Sequence, residues 1–241
     1  MSAEAPTPAS PAAAASTTPT PAVLAQLAAA GLTAALDDVA DLSLACNAET
    51  CTLIDEEDLF GYAAQPPYHT LYTIATDASG GAYHIWLGSG SEAVVYLGSE
   101  GERAKVGSSA SQFLQLALSL APHWNGAVSM LPALNTLPDN GDIDGATLAD
   151  FDRDGALRLI ATWSGQGPSP FPEGSPMAAK WPETAAESAA AAVEAQAKAD
   201  VVLATLGLPR LSVEDALTQL AEAHLALPRF AIRSEDDLED E

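Results

Sequence analysis

From Leu71 the chain changes period. LYTIAT (71–76), AYHIWL (82–87) and AVVYL (93–97) are runs of β-branched and aromatic residues, each of strand length. DASGG and GSGSE divide them, and both are turn chemistry. Connections this short join antiparallel neighbours, because a parallel crossover needs a dozen or more residues. A three-strand meander is therefore the most constraining expectation the sequence supplies. CTLID (51–55) has the composition of an earlier strand, and 103–106 that of a later one after a turn at 99–101.

Helical periodicity flanks this meander. Val23, Leu24 and Leu27 precede Gly31, and Leu32, Leu36 and Val39 follow it at helical spacing, with Thr33 placed to cap the second stretch. One bent helix and two short ones both fit. Asp37, Asp38 and Asp41 fall on the opposite, wet face. After the meander, Ser109 with Gln112 forms a capping box, Phe113, Leu116, Ala117 and Leu120 form an apolar stripe, and Pro122 ends it. Helix, antiparallel meander, helix is an α+β layer sandwich with helices on one sheet face. We expect this domain to span 23–121.

The remainder divides by composition. Residues 1–22 hold five prolines, eight alanines and seven serines or threonines, and are expected to form a disordered arm. Residues 122–181 are rich in Pro and Gly, and 163–176 read as loop. LADFD and ALRLIATW flank Arg153 to Gly155 and fit one more hairpin. From Pro182 an Ala-rich helix runs to about Leu206 and stops at Gly207 and Pro209; Ser212 with Asp215 caps another carrying Leu217, Leu220, Ala221 and Leu225. Residues 182–230 thus read as a helical hairpin. The tail, 231–241, ends in EDDLEDE and is expected to be solvated.

Charge narrows the function. Nine Lys and Arg stand against 33 Asp and Glu, a net charge of −24. There is no Lys or Arg before Arg103, yet 13 acids lie between Glu4 and Glu102. A basic grip on nucleic acid or on anionic lipid is excluded, since both need clustered positive charge. No apolar run approaches the roughly 20 residues of a membrane span, and the opening MSAEAPTPAS lacks the basic and apolar regions of a secretory signal. We therefore expect a cytoplasmic protein. Cys46 and Cys51 are spaced so that a disulfide is geometrically possible, but nothing in the sequence suggests an oxidising compartment.

Catalytic and cofactor motifs are missing from the sequence: it has no G-x-S-x-G elbow, Walker loop, G-x-G-x-x-G or HExxH. We expect no cofactor and no enzyme activity. His69, His84, His123 and His224 are scattered, and His84, mid-strand, reads as a strand-surface or interface residue. Asp150, Asp152 and Asp154 before Gly155 match the opening of a calcium loop, but the twelfth position is Ala161 and Arg153 lies inside. A polar turn is the simpler reading, with calcium binding as the alternative, and an enzyme of unrecognised site as another. The best candidate interface is Asp55, Glu56, Glu57 and Asp58 followed by Phe60, Tyr62 and Tyr68: acids to steer a basic partner, aromatics to anchor it.

The stretch IATDASGGAYHIWL (74–87) followed by VVYLGSEGERAKVGSSASQFLQLAL (94–118) resembles the core of the SUKH superfamily. The shared pattern is an apolar strand ending in a Gly/Asp turn, a second strand, and a third carrying an aromatic, here Tyr96. A Ser-rich cap at 108–111 then opens a helix with Phe113, Leu114 and Leu116. The resemblance covers about 70–120. It implies an α+β binding domain, and many bacterial members are immunity proteins that neutralise toxins, chiefly nucleases and deaminases. The expectation is thus a non-catalytic immunity protein whose partner is a basic toxin domain.

Overall fold

The computed structural model describes residues 17–54, 71–87, 93–99, 103–131 and 148–226. Its elements in chain order are β1 (Thr17–Pro19), α1 (Ala22–Ala29), α2 (Thr33–Ala40), β2 (Leu42–Leu44), β3 (Thr50–Leu53), β4 (Leu71–Asp77), β5 (Ala82–Trp86), β6 (Ala93–Leu97) and β7 (Arg103–Gly107). There follow α3 (Ala110–Ser119), α4 (Trp124–Ser129), a 3-10 turn (Leu148–Asp150), α5 (Arg153–Trp163), α6 (Pro176–Leu206) and α7 (Val213–Leu225). The class is α+β, with an antiparallel sheet ordered β1-β3-β4-β5-β6-β7 and β2 beside β4.

The meander stands where its periodicity places it. Asp77 closes the first turn by accepting hydrogen bonds on Oδ1 from the Ser79 and Gly81 amides, both at 2.9 Å. Alternation then sorts the sheet into two faces. Tyr72, Ile74, Tyr83, Ile85, Val94, Tyr96, Ala104 and Val106 join the main core with the helices. Leu71, Trp86, Ala93, Val95 and Leu97, with Ile54, form a second buried cluster on the other face. A bulge between Thr73 and Ala75 lets both Ile74 and Ala75 enter the main core. His84, read as a strand-surface or interface residue, is 2% exposed on the second face, with Thr73 Oγ1 3.2 Å from its Nδ1. AVVYL is a continuous apolar run because β6 is buried on both sides.

The helices carry the main core. Gly31, at φ +69°, breaks α1 from α2, so the two-helix reading holds and they cross at 105°. Thr33 is the first helical residue and makes no side-chain cap, a correction to its expected role; Leu32 holds the capping position. Leu24, Leu27, Leu36 and Val39 all enter the core. Among the described residues no single helix is long and apolar enough to cross a membrane. Ser109 accepts from the Gln112 amide at 3.2 Å, as the capping box requires, while the Gln112 side chain accepts from Ser108 N at 2.7 Å.

Three further expectations are corrected. The disordered arm does not extend to residue 22: Thr17–Pro19 pairs with β3 and α1 begins at Ala22. The proposed hairpin around Arg153 is helix α5, since Asp152 Oδ1 accepts from Gly155 N at 2.8 Å and caps it, and Ala156 and Ile160 bury one face. Helix α6 starts at Pro176 rather than Pro182, because Ser175 caps it by accepting from Ala178 N at 3.1 Å. How the C-terminal helices sit against the sheet domain, which the sequence leaves open, follows from their contacts: α6 packs on α1, α2 and α3, and α7 on β7 and α3. Gly207, in left-handed conformation at φ 68°, and the Ser212 cap end and start these helices as expected. Between α5 and α6, Gly165 at φ +69° sits so close to the Ala185 carbonyl that no side chain fits, which seats the loop after α5 on α6.

Candidate functional site

The expected interface residues Asp55, Glu56, Glu57, Asp58, Phe60, Tyr62 and Tyr68 lie outside the described residues. A group of solvent-facing carboxylates among the described residues lies elsewhere, on α2. Because Leu36, Val39 and Ala40 turn into the core, Asp37, Asp38 and the capping residue Asp41 turn out. This is the end of the helix where unpaired carbonyls already concentrate negative charge, and no basic residue occupies its last turn. Three carboxylates here oppose the helix that carries them.

The surrounding structure holds each in place. Asp37 Oδ1 accepts from Ser43 Oγ at 2.6 Å. Asp41, left-handed at φ 56°, accepts on Oδ2 from Asn125 Nδ2 at 3.0 Å. Behind Asn125 a polar chain runs into the core: Tyr83 OH donates to Asn125 Oδ1 at 3.2 Å and accepts from Trp124 Nε1 at 2.9 Å. Burial first, then the Asp77 charge, pushes the Tyr83 hydroxyl well above its ordinary pKa, so it stays a donor. Asp38 meets Lys198 of α6 at 3.4 Å, and Lys198 is shared with Glu194 at 3.3 Å. Hydrogen bonds to Glu194 and Asp38 raise the lysine's pKa and keep it charged. Of the three carboxylates on α2, only Asp38 thus meets a cation, and that cation is shared with Glu194.

The other described ion pairs join residues of α5, α6, α7 and the loops beside them. Arg153 meets Glu214 at 3.1 Å, Arg210 meets Asp200 at 2.8 Å, and Arg158 lies 3.9 Å from Asp152. Of the calcium-loop acids, Asp152 is engaged as the α5 cap, and Asp154 stands in the first turn 3.9 Å from Arg153. The side chain of Asp150 is outside those described. Among the described residues no three His, Cys, Asp or Glu gather to hold a metal. An open groove of about 480 Å³ lies by these residues, between Leu148, the start of α5 and Thr218.

One arrangement that sequence reasoning missed has the look of a nucleophile and its base. His123 Nε2 lies 2.7 Å from Ser164 Oγ, and burial lowers the imidazole pKa, leaving it neutral at pH 7. Ser164 is 5% exposed, however. The N–H groups of Ser164, Gly165, Gln166 and Gly167 already donate to the carbonyls of Ile160, Thr162 and Ala161. None of these four is left to stabilise an oxyanion. The pair pins the start of α4 to the end of α5, where Trp163 packs over Gly126. No pattern of spacing announces it, since the two residues are far apart in sequence.

No protein-family model, curated protein or solved structure matches this chain.

Proposed function

We propose that the protein is a non-catalytic, acidic binding protein that captures a basic protein partner, and that it acts as a SUKH-like immunity protein against a toxin domain in the cytoplasm. The observation that carries this reading is the placement of Asp37, Asp38 and Asp41 at the carbonyl end of α2, where the one described cation in contact, Lys198, meets Asp38 alone of the three. That arrangement works against the helix, so a cationic guest is the compensating term. A toxin that acts on nucleic acid carries a cationic cleft, and an anionic face reaches it by steered association. The order of helices and strands around the meander supports the resemblance on which the toxin assignment rests.

Capture from the native host, with retained proteins eluted by a salt gradient, tests this. The expected result is a basic protein released as salt rises, because screening weakens the steering field. Retention of proteins no more basic than the background, or salt-independent binding, overturns the proposal.

A further inference from the structure

Strands β2 and β3 are one strand with an interruption. Leu42, Ser43 and Leu44 pair with Asp77, Thr76 and Ala75 of β4, and Ala45 N donates to Ile74 O at 2.9 Å. Thr52 and Leu53 then resume opposite Thr73 and Tyr72. Between the consecutive β4 residues Ile74 and Thr73, the six residues from 46 to 51 loop out. The first and last of the six are Cys46 and Cys51, bonded to each other with their Cα atoms 4.4 Å apart. The bond sits where it keeps the two strand segments in one line. It also settles the pairing that the sequence left open.

The looped-out segment is the platform for β1. Asn47 shapes it: Oδ1 accepts from the amides of Glu49 at 2.8 Å and Thr50 at 2.7 Å. Thr17, Thr18 and Pro19 pair with Thr52, Cys51 and Thr50. Thr20 completes the seat, donating from N to Glu49 O and from Oγ1 to Asn47 O, both at 2.9 Å. Two of the three residues in β1 are exposed, and its only sheet partner among the described residues is β3. A strand so short with so little burial belongs to the low-stability end of a fold.

We propose that Cys46–Cys51 is a redox latch that controls the docking of β1 on the sheet edge. A dithiol reductant opens it: its thiolate attacks Cys46 Sγ, which is half-buried, and fully buried Cys51 leaves as a thiolate that takes a proton. The reductant's second thiol then displaces Cys46 from the mixed disulfide, so two protein thiols form as the dithiol becomes a disulfide. With the loop unclamped, its six residues regain conformational freedom and β1 loses its platform. The outer edge of β3 is then bared, and a bare edge is a template for an added strand.

Amide hydrogen exchange on the full chain, before and after dithiothreitol, tests this. Peptides covering 17–20 and 47–52 are expected to exchange roughly tenfold faster once reduced, while 82–86 and 93–97 keep their protection. The Cys46→Ser, Cys51→Ser double variant should show the fast pattern without reductant. Thr20→Val should quicken exchange of 17–20 with the bond intact. Unchanged exchange at 17–20 on reduction overturns the latch. So does loss of protection across β5 and β6, which would make the bond a staple of the whole fold.

Discussion

The sheet-bearing half of the molecule and its helical half solve stability in different ways. In the first, β5 and β6 are buried on both faces, and the polar residues among them are few and sealed in. In the second, α6 runs 31 residues with only Ala192, Ala199, Val202, Leu203 and Leu206 buried, and cations on α5, α6 and the following loop pair with neighbouring acids. The cations are placed unequally too: Arg153, Arg158 and Arg210 each meet an acid within the helical half, whereas on α2 only Asp38 meets a cation among the described residues. Packing there supplies stability against which unpaired charge is tolerated.

The contrast is broken most directly at its densest point. Trp124 is fully buried, touches Phe113 and Tyr83, and donates to the Tyr83 hydroxyl. Trp124→Ala should cost about 3–5 kcal/mol in urea unfolding. Val201→Ala on α6, 59% exposed, should stay within about 0.5 kcal/mol. Equal losses at the two positions would mean that the exposed face of α6 contributes as much as the core around Trp124.

Acid probes the second sheet face. Burial pushes the His84 pKa from 6.5 to about 3. The unfolded chain takes up the proton near pH 6.5 and the folded protein only near pH 3, so stability falls as pH drops through that window. For this group alone the loss at pH 4.5 is about 2–3 kcal/mol. Replacing both hydrogen-bonded partners, His84→Leu with Thr73→Val, should flatten the slope between pH 7 and pH 4.5. A slope unaltered by the pair would assign acid sensitivity elsewhere.

How much of this could be read from residues alone divides along the same line. The meander and the caps at Ser109 and Ser212 were legible, because period-2 alternation and a hydroxyl three residues before its target amide are local signals. Strand β1 was not: TTP has no strand signature, and it is extended only because Thr50 to Thr52 offer an edge. The β-branched look of ALRLIATW pointed to a hairpin, yet the Asp152 cap and the burial of Ala156 and Ile160 decided for α5. Pro182 resembled a start because prolines open helices, but Ser175-Pro176 does so first. At the site, the outward face of Asp37, Asp38 and Asp41 was readable from helical spacing. Their position at the negative end of α2, and Asn125 reaching Asp41 from 84 residues away, needed the fold.

Caps offer a smaller and symmetrical comparison. Ser109 accepts from Gln112 N in the first half and Ser212 from Asp215 N in the second, at 3.2 and 3.0 Å. Each replaced by alanine should cost about 1 kcal/mol by chemical denaturation. A much larger loss at Ser109 would show that the α3 start is coupled to the core behind it.

The smallest expected change in stability is the most telling for function, because its sign is opposite to the rest. Asp37→Asn and Asp41→Asn keep an oxygen to accept from Ser43 and Asn125, and Asn suits the left-handed conformation at position 41 as well as Asp does. What each substitution removes is one negative charge at the carbonyl end of α2. Stability should therefore rise, by about 0.3–1 kcal/mol for each, most at low salt and hardly at all where the field is screened. Association with the proposed basic partner should slow, roughly threefold at low salt for the double variant, with dissociation almost unmoved, since exposed charges at a rim act on encounter more than on the finished complex. If the substitutions raised stability and left association alone, the acids of α2 would be a burden with no use. If they lowered stability, the hydrogen bonds to Ser43 and Asn125 would need the full carboxylate charge, and the acids would belong to the fold rather than to a guest.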